Sequence, residues 1–212
     1  MIVPVKIVLS LIASYLIGSI PTAYLFGKIY KGIDIRQFGS GNVGATNAFR
    51  VLGKIPGIIV LIVDMAKGLV ATTLVADLSG LQGNIYYVVL GLTVVAGHNW
   101  TIFLRFKGRK GIATSLGVLI GLTIKIVSIR PVLGLSVFIW LAVFLSTGFV
   151  SLASVMASFL LPILMVVFSQ SFEGTALGVI LCIFVVFRHK TNIKRLLSGE
   201  EPRVNLPFKK KS

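Results

Sequence analysis

IPGIIVLIVDMAKGLVATTLVA, residues 55 to 76, decides what kind of protein this is. A helix that crosses a hydrocarbon core needs about 20 mostly apolar residues, with about 17 to 25 tolerated. This run meets that length and carries two charges, Asp64 and Lys67. Their i,i+3 spacing puts them on one helical face, where a neutralised pair costs far less than two separate ions. Two roles remain open for the pair: a lock on helix packing inside a bundle, or a direct contact to substrate.

Outward from this run the same pattern repeats. Apolar segments fall at residues 3–26, 85–104, 112–129, 131–147, 149–169 and 174–188. Across 212 residues the chain is 56% hydrophobic and only 13% charged, whereas about a quarter of a soluble chain is charged. Its mean hydropathy is +0.97. The expected fold is therefore an all-α integral membrane protein with seven transmembrane helices, structured loops between them and termini on opposite sides. The first run carries an early Lys6, extends to about Phe26 and lacks an A-x-A cleavage pattern, so we read it as a retained span and not a signal peptide.

Lys and Arg then set the orientation. Lys28, Lys31, Arg36, Arg50 and Lys54 follow the first span, and Arg105, Lys107, Arg109 and Lys110 follow the third. Arg188, Lys190, Lys194, Arg195, Arg203 and the lysines at 209–211 follow the last. With seven spans these share one face, and the positive-inside tendency makes that face cytoplasmic, with the N-terminus outside. The net charge of +15 is thereby read as orientation and attraction to anionic lipid headgroups, not as nucleic-acid binding. The lone Cys182 lies in an apolar run and excludes a disulfide, and His98 and His189 stand far apart with no carboxylate beside either, so no metal is expected.

Three polar segments fall on that face. The first, GSGNVGATNAFR (39–50), mixes glycines with Ser40, Asn42, Thr46, Asn47 and Arg50. Glycine-flanked amides can form a concave anion nest, and an arginine offers phosphate a two-pronged partner. No G-x-x-x-x-G-K-[ST] pattern is present, so phosphate binding stands beside a purely structural re-entrant loop. The second, GHNWTIFLRFKGRKGIAT (97–114), brackets Arg109 and Lys110 with Gly108 and Gly111 where a helix begins, which suits an anion. Arg105 and Lys107 read as headgroup-seeking side chains, and His98 serves equally well as a hydrogen-bonded structural residue.

The third, RHKTNIKRLLSGEEPR (188–203), leaves the last span. Continuing that helix would put His189, Asn192 and Arg195 on one face, either as a catalytic stripe or as a plain basic juxtamembrane helix. Ser151, in STGFVSLASV (146–155), lies on the same side as a helix cap or a substrate contact. One explanation covers all three segments: a site for an anionic, phosphate-bearing substrate at the cytoplasmic interface.

These segments closely resemble the three signature motifs of the acyl-phosphate-dependent glycerol-3-phosphate acyltransferases, the PlsY family. The first motif, G-S-G-N-x-G-A-T-N-x-x-R, is matched throughout 39–50. The second, G-H-x-x-x-x-F-x-x-F-x-G-G-K-G-x-A-T, is matched at 97–114 except that Arg109 stands where a second glycine is usual. That change either denies the chain a left-handed turn there or adds a cation to the site. The third, R-H-x-x-N-I-x-R-L-x-x-G-x-E, fits through Leu196 and Gly199, with its acid at Glu200 or Glu201.

The resemblance implies a bacterial inner-membrane enzyme with its site on the cytoplasmic side. It would transfer an acyl group from acyl phosphate to the 1-hydroxyl of sn-glycerol 3-phosphate, giving lysophosphatidic acid and phosphate without a cofactor or metal. On that reading His189 and Asn192 are catalytic, while Ser40, Gly41, Asn42, Arg50, Gly108, Lys110 and Gly111 bind substrate phosphate. Thr46, Asn47, His98 and Ser151 fall around them. Residues 1–204 would form one transmembrane acyltransferase domain and 205–212 a basic tail. The rival reading is an organic-phosphate or anion transporter, which would call for internal repeats and polar groups at mid-membrane.

Overall fold

The computed structural model describes residues 2–204, and among them regular structure is helix only. The expected basic tail at 205–212 lies outside the described residues. The helices are α1 (Ile2–Ser19), α2 (Thr22–Lys31), α3 (Ala45–Val51), α4 (Lys54–Val70), α5 (Ala76–Ser79), α6 (Asn84–Asn99), α7 (Ile112–Lys125), α8 (Arg130–Thr147), α9 (Val150–Val167), α10 (Phe172–Arg188) and α11 (Lys190–Leu197). One π-helical stretch, Ala71–Val75, joins α4 to α5, so the segment containing Asp64 and Lys67 is a single rod from Lys54 to Ser79.

Four of these stretches are long and apolar enough to cross a membrane, and six are if two bent pairs each count as one. The helix Ile112–Lys125 is apolar but shorter. Both bends depart from the sequence expectation. The first apolar run is not one helix over 3–26: α1 and α2 meet at 41°, because Pro21 has no N–H to continue the ladder and disfavours helical geometry at Ile20. The last helix does not run straight through His189 either. There α10 and α11 diverge by 63°, where the His189 N–H reaches both Val185 O and Val186 O and its ring Nδ1 also lies 2.8 Å from Val185 O.

The helices group into two units, Met1–Val127 and Ser128–Ser212. Within the first, α1 packs on α6 and α4 on α7. The second seam is held tight by paired glycines. A Cβ on Gly117 would stand 1.8 Å from Met65 O, and one on Gly68 would stand 2.2 Å from Thr114 O. Since lipid supplies little hydrophobic drive between helices, close backbone approach and its dispersion contacts do that work. Beneath the loop after α2, Ala23, Ile35, Val43, Ala48, Leu52, Val60 and Leu104 form a small buried core. That core fixes α3 and the loop on the end of α4.

In the second unit α9 packs against both α8 and α10, and α11 also touches α9. The chain after α11 folds back onto the turn between α8 and α9. Val204 N–H donates to Gly148 O at 2.9 Å, and the Arg203 guanidinium lies 4.8 Å from the centre of the Phe149 ring.

Candidate active site

The first polar loop is built by side chains that hold backbone. Asp34 caps the short turn Ile35–Gln37 through the Arg36 N–H and receives the Arg36 guanidinium as well. That hydrogen-bonded cation holds the Asp34 carboxyl at about 2, below its ordinary value. Asn47 is buried, and its amide is fully engaged: Oδ1 accepts the Ser40 N–H at 2.9 Å while Nδ2 donates to Phe38 O at 3.0 Å. Gly39, at φ +61°, allows this clasp, since a Cβ there would stand 2.3 Å from Asn47 Oδ1.

Asn47 is therefore the clasp of the loop and not a ligand. Ser40, Thr46 and Arg50 are left exposed on its surface, Gly41 sits beside them at φ +69°, and the buried Asn42 Oδ1 has no hydrogen-bond partner. One loop thus carries an exposed hydroxyl, an exposed guanidinium, an unsatisfied amide oxygen and a left-handed glycine, a set of groups that suits a polar, charged ligand.

The second loop runs over the end of α6. His98 is buried with Nδ1 at 2.8 Å from Thr114 Oγ1, and that hydroxyl donates to Asp64 O at 3.0 Å. A hydroxyl has one proton to give, so His98 Nδ1 is the donor and the ring is a structural brace between α6, α7 and α4. Gly108 lies against the end of α6, where a Cβ would meet Asn99 O at 2.4 Å, and Gly111 turns at φ +80° into α7. Lys110, half-buried between them, stays at the helix start.

Arg109 settles the open question about its glycine position. Its φ is not positive, and its side chain is buried. Nη1 donates to Asp64 Oδ1 at 2.5 Å and Nη2 to Ile20 O at 2.7 Å. Lys67 Nζ reaches the same carboxylate oxygen at 2.6 Å, the same carbonyl at 2.8 Å and Thr22 Oγ1 at 2.5 Å. Asp64 and Lys67 thus act as a packing lock, to which Arg109 adds a second cation. A shallow, open apolar groove of about 370 Å³ begins at Ile20, lined also by Pro21, Tyr24, Leu25, Phe103 and Leu104.

In the second unit the third motif closes on a carboxylate. Glu201 Oε1 accepts from Asn192 Nδ2 at 2.6 Å and from Ser151 Oγ at 2.7 Å, and Oε2 accepts from Arg195 Nε at 2.8 Å. Burial pushes the Glu201 carboxyl up, but the hydrogen bonds from Asn192, Ser151 and Arg195 outweigh it and hold the group below its ordinary value. Glu201 is a candidate site residue that residue chemistry alone missed; the acid ending the third motif was its signal. His189 is buried, and a carbonyl at its Nδ1 means that nitrogen carries the proton. In the neutral ring Nε2 is then the acceptor. Among the described residues no three His, Cys, Asp or Glu side chains gather as a metal cluster.

Comparison with known proteins bears directly on this arrangement. The family model for glycerol-3-phosphate acyltransferase matches residues 8–199. The chain belongs to the glycerol-3-phosphate acyltransferase family. The acyltransferase of Desulforamulus reducens is 43% identical over 204 residues, covering 95% of this chain and 97% of its own. That of Fusobacterium nucleatum is 43% identical over 191 residues, covering 90% and 94%.

The crystal structure of PlsY (YgiH), an integral membrane glycerol 3-phosphate acyltransferase, in its glycerol 3-phosphate form has a TM-score of 0.84 at 35% identity, covering 94% of this chain and 96% of that one. Its lysophosphatidic acid form gives 0.82 at 34%, covering 94% and 95%. The chain is an integral membrane acyltransferase, and the transporter reading is set aside.

Proposed function

We propose that this acyltransferase takes its acyl group from acyl phosphate and delivers it to the 1-hydroxyl of sn-glycerol 3-phosphate. The hydroxyl oxygen attacks the acyl carbonyl, an ester C–O bond forms, and the C–O bond to phosphate breaks. Lysophosphatidic acid and inorganic phosphate leave, and the hydroxyl proton ends on a phosphate. An acyl phosphate is already a mixed anhydride with a good leaving group. Positioning two anions and neutralising charge therefore supplies most of what the reaction needs, without a cofactor.

The observation that carries the reading is the likeness, over 94% of the chain, to an enzyme crystallised with glycerol 3-phosphate, together with the three motifs standing in order. In our reading the exposed Ser40 and Arg50, with Gly41, Asn42, Gly108, Lys110 and Gly111, bind substrate phosphate. His189 Nε2 accepts from the attacking hydroxyl, and Asn192 is held by Glu201 through one N–H, leaving its second N–H and its Oδ1 for substrate. Thr46 is assigned to the rim of the first loop. The apolar groove beside Ile20 and Phe103 receives the start of the acyl chain.

We place seven spans in the bacterial inner membrane, with the short α7 as one and each bent pair as another, within a single domain over 1–204. The N-terminus is then outside and the site cytoplasmic, as the Lys and Arg distribution requires.

The test is purified protein in vesicles of defined orientation, given acyl phosphate and glycerol 3-phosphate. Lysophosphatidate and phosphate should form one-to-one, from substrate on the cytoplasmic face only. A folded sample without product sinks the donor assignment, and product from the outer face sinks the orientation. His189→Ala and Asn192→Ala should each lower kcat by 10²-fold or more while leaving the protein folded, an estimate on the order of a lost positioning or proton-transfer contact.

A further inference from the structure

Asn99 ends α6 against the 108–111 turn. It is fully buried, and neither Oδ1 nor Nδ2 of its side chain has a hydrogen-bond partner. Leaving a buried polar group unpaired costs a folded protein stability, and native structures keep few such groups. An apolar side chain of the same size would fill this place without that cost. An amide kept here therefore points to a task outside the ligand-free fold.

The position of the amide says what the task is. A Cβ on Gly111 would stand 2.6 Å from Asn99 Oδ1 and 3.2 Å from Nδ2. Gly111 is the N-cap residue of the 14-residue helix α7, and the space off its Cα is where a capping side chain would meet the first N–H groups of the helix. Asn99 fills that space from another helix. The Ser115 N–H closes the first turn of α7 on Gly111 O at 2.8 Å, which leaves the N–H groups before it with no acceptor inside the helix. Such a helix start favours an anion.

We propose that Asn99 is a further binding residue for the substrate phosphate: Nδ2 donates to a phosphate oxygen held by the first N–H groups of α7. No side chain at 111 stands between the two, and Gly111, at φ +80°, has the backbone freedom to shift and admit the oxygen. The amide lost its water when the protein folded. Pairing it with phosphate thus removes a penalty already present and adds a charge-assisted bond. The ligand-free protein is less stable than it could be, and substrate recovers the difference as affinity. The inference rests on the acyltransferase reading above and adds to its phosphate site a residue not assigned there.

Two measurements test it: unfolding temperature in detergent, with and without inorganic phosphate or glycerol 3-phosphate, and KM for acyl phosphate and for glycerol 3-phosphate. Asn99→Leu keeps the shape and removes the unpaired atoms. Without ligand its unfolding temperature should rise by about 2 to 4 °C, as for one orphaned group relieved. Its KM for one of the two substrates should rise on the order of tenfold, as for a lost hydrogen bond to a charged group, and stabilisation by the phosphate compounds should shrink. Asn99→Asp, of the same shape but with no N–H to give, should raise that KM further. The substrate whose KM moves is the one held here.

Wild-type KM for both substrates together with wild-type stabilisation by ligand in Asn99→Leu overturns the proposal, as does an Asn99→Asp protein that binds as tightly as wild type. A fall in ligand-free unfolding temperature with KM unmoved makes the amide a prop of the fold and overturns it too. Should Asn99→Leu not fold, Asn99→Ala carries the binding comparison. A wild-type protein stabilised by glycerol 3-phosphate but without turnover would count against the donor assignment and leave the binding measurements to decide on Asn99. A wild type with neither turnover nor stabilisation removes the phosphate site and the proposal with it.

Discussion

At the scale of single residues, Glu201 organises more of the candidate site than any residue chosen from chemistry alone. It accepts from Ser151, Asn192 and Arg195 at once, so Glu201→Gln exchanges an acceptor for an amide that must turn an N–H toward donors. The variant should lose kcat through a misplaced Asn192 and stability on the order of 2 kcal/mol, as expected for hydrogen bonds to a charged group. The pH dependence has a definite sign. The folded carboxyl titrates below its ordinary 4.5, so its contribution is complete above that value and is lost as pH falls through the folded value. The gap in unfolding temperature between wild type and Glu201→Gln should be widest near neutral pH and close as the pH falls below 4.5 through the lower folded value. A gap of the same size at every pH would show that the contribution of Glu201 does not depend on its charge.

Among the elements, the seam between α4 and α7 is the most demanding. Gly117→Val places a branched side chain where even a Cβ lies 1.8 Å from Met65 O. The helices must part, at about 1 to 3 kcal/mol for overpacking, and the braces from Thr114 to Asp64 O and from Arg109 to Asp64 part with them. Unfolding temperature in detergent reads this directly, and an unchanged value would mean that the seam is looser than its geometry.

The helices themselves were legible as apolar runs, because hydrophobic length is a property of the chain alone. Their bends were not: hydropathy averages across Ile20 and His189, although Pro21 marked the first. Residue types likewise singled out Lys110 and Asn192 as candidates. Burial of Arg109 and Asn47 could not be read, since it depends on neighbours such as Asp64 and Phe38 that only the folded chain brings near.

For the molecule as a whole, the motif order pointed to the family, while the proposed sidedness rests on where lysines and arginines stand. One dimension was hidden in plain view. Helix α7 has 14 residues, or roughly 21 Å of rise, against a hydrocarbon slab of about 30 Å. Its C-terminal Lys125 pairs with the partly exposed Asp77, and on the proposed seven-span reading these charges would mark the far boundary. On the same reading, the shortfall of roughly 9 Å would fall at Gly111 and put the proposed phosphate turn below the headgroup plane. Glycerol 3-phosphate would then descend to it, while a fatty tail would barely leave the oil. Turnover should accordingly rise in reconstituted bilayers of shorter-chain lipid and fall in thicker ones, with a flat response across the series arguing against immersion. On that reading the thickness of the host membrane would become a kinetic variable.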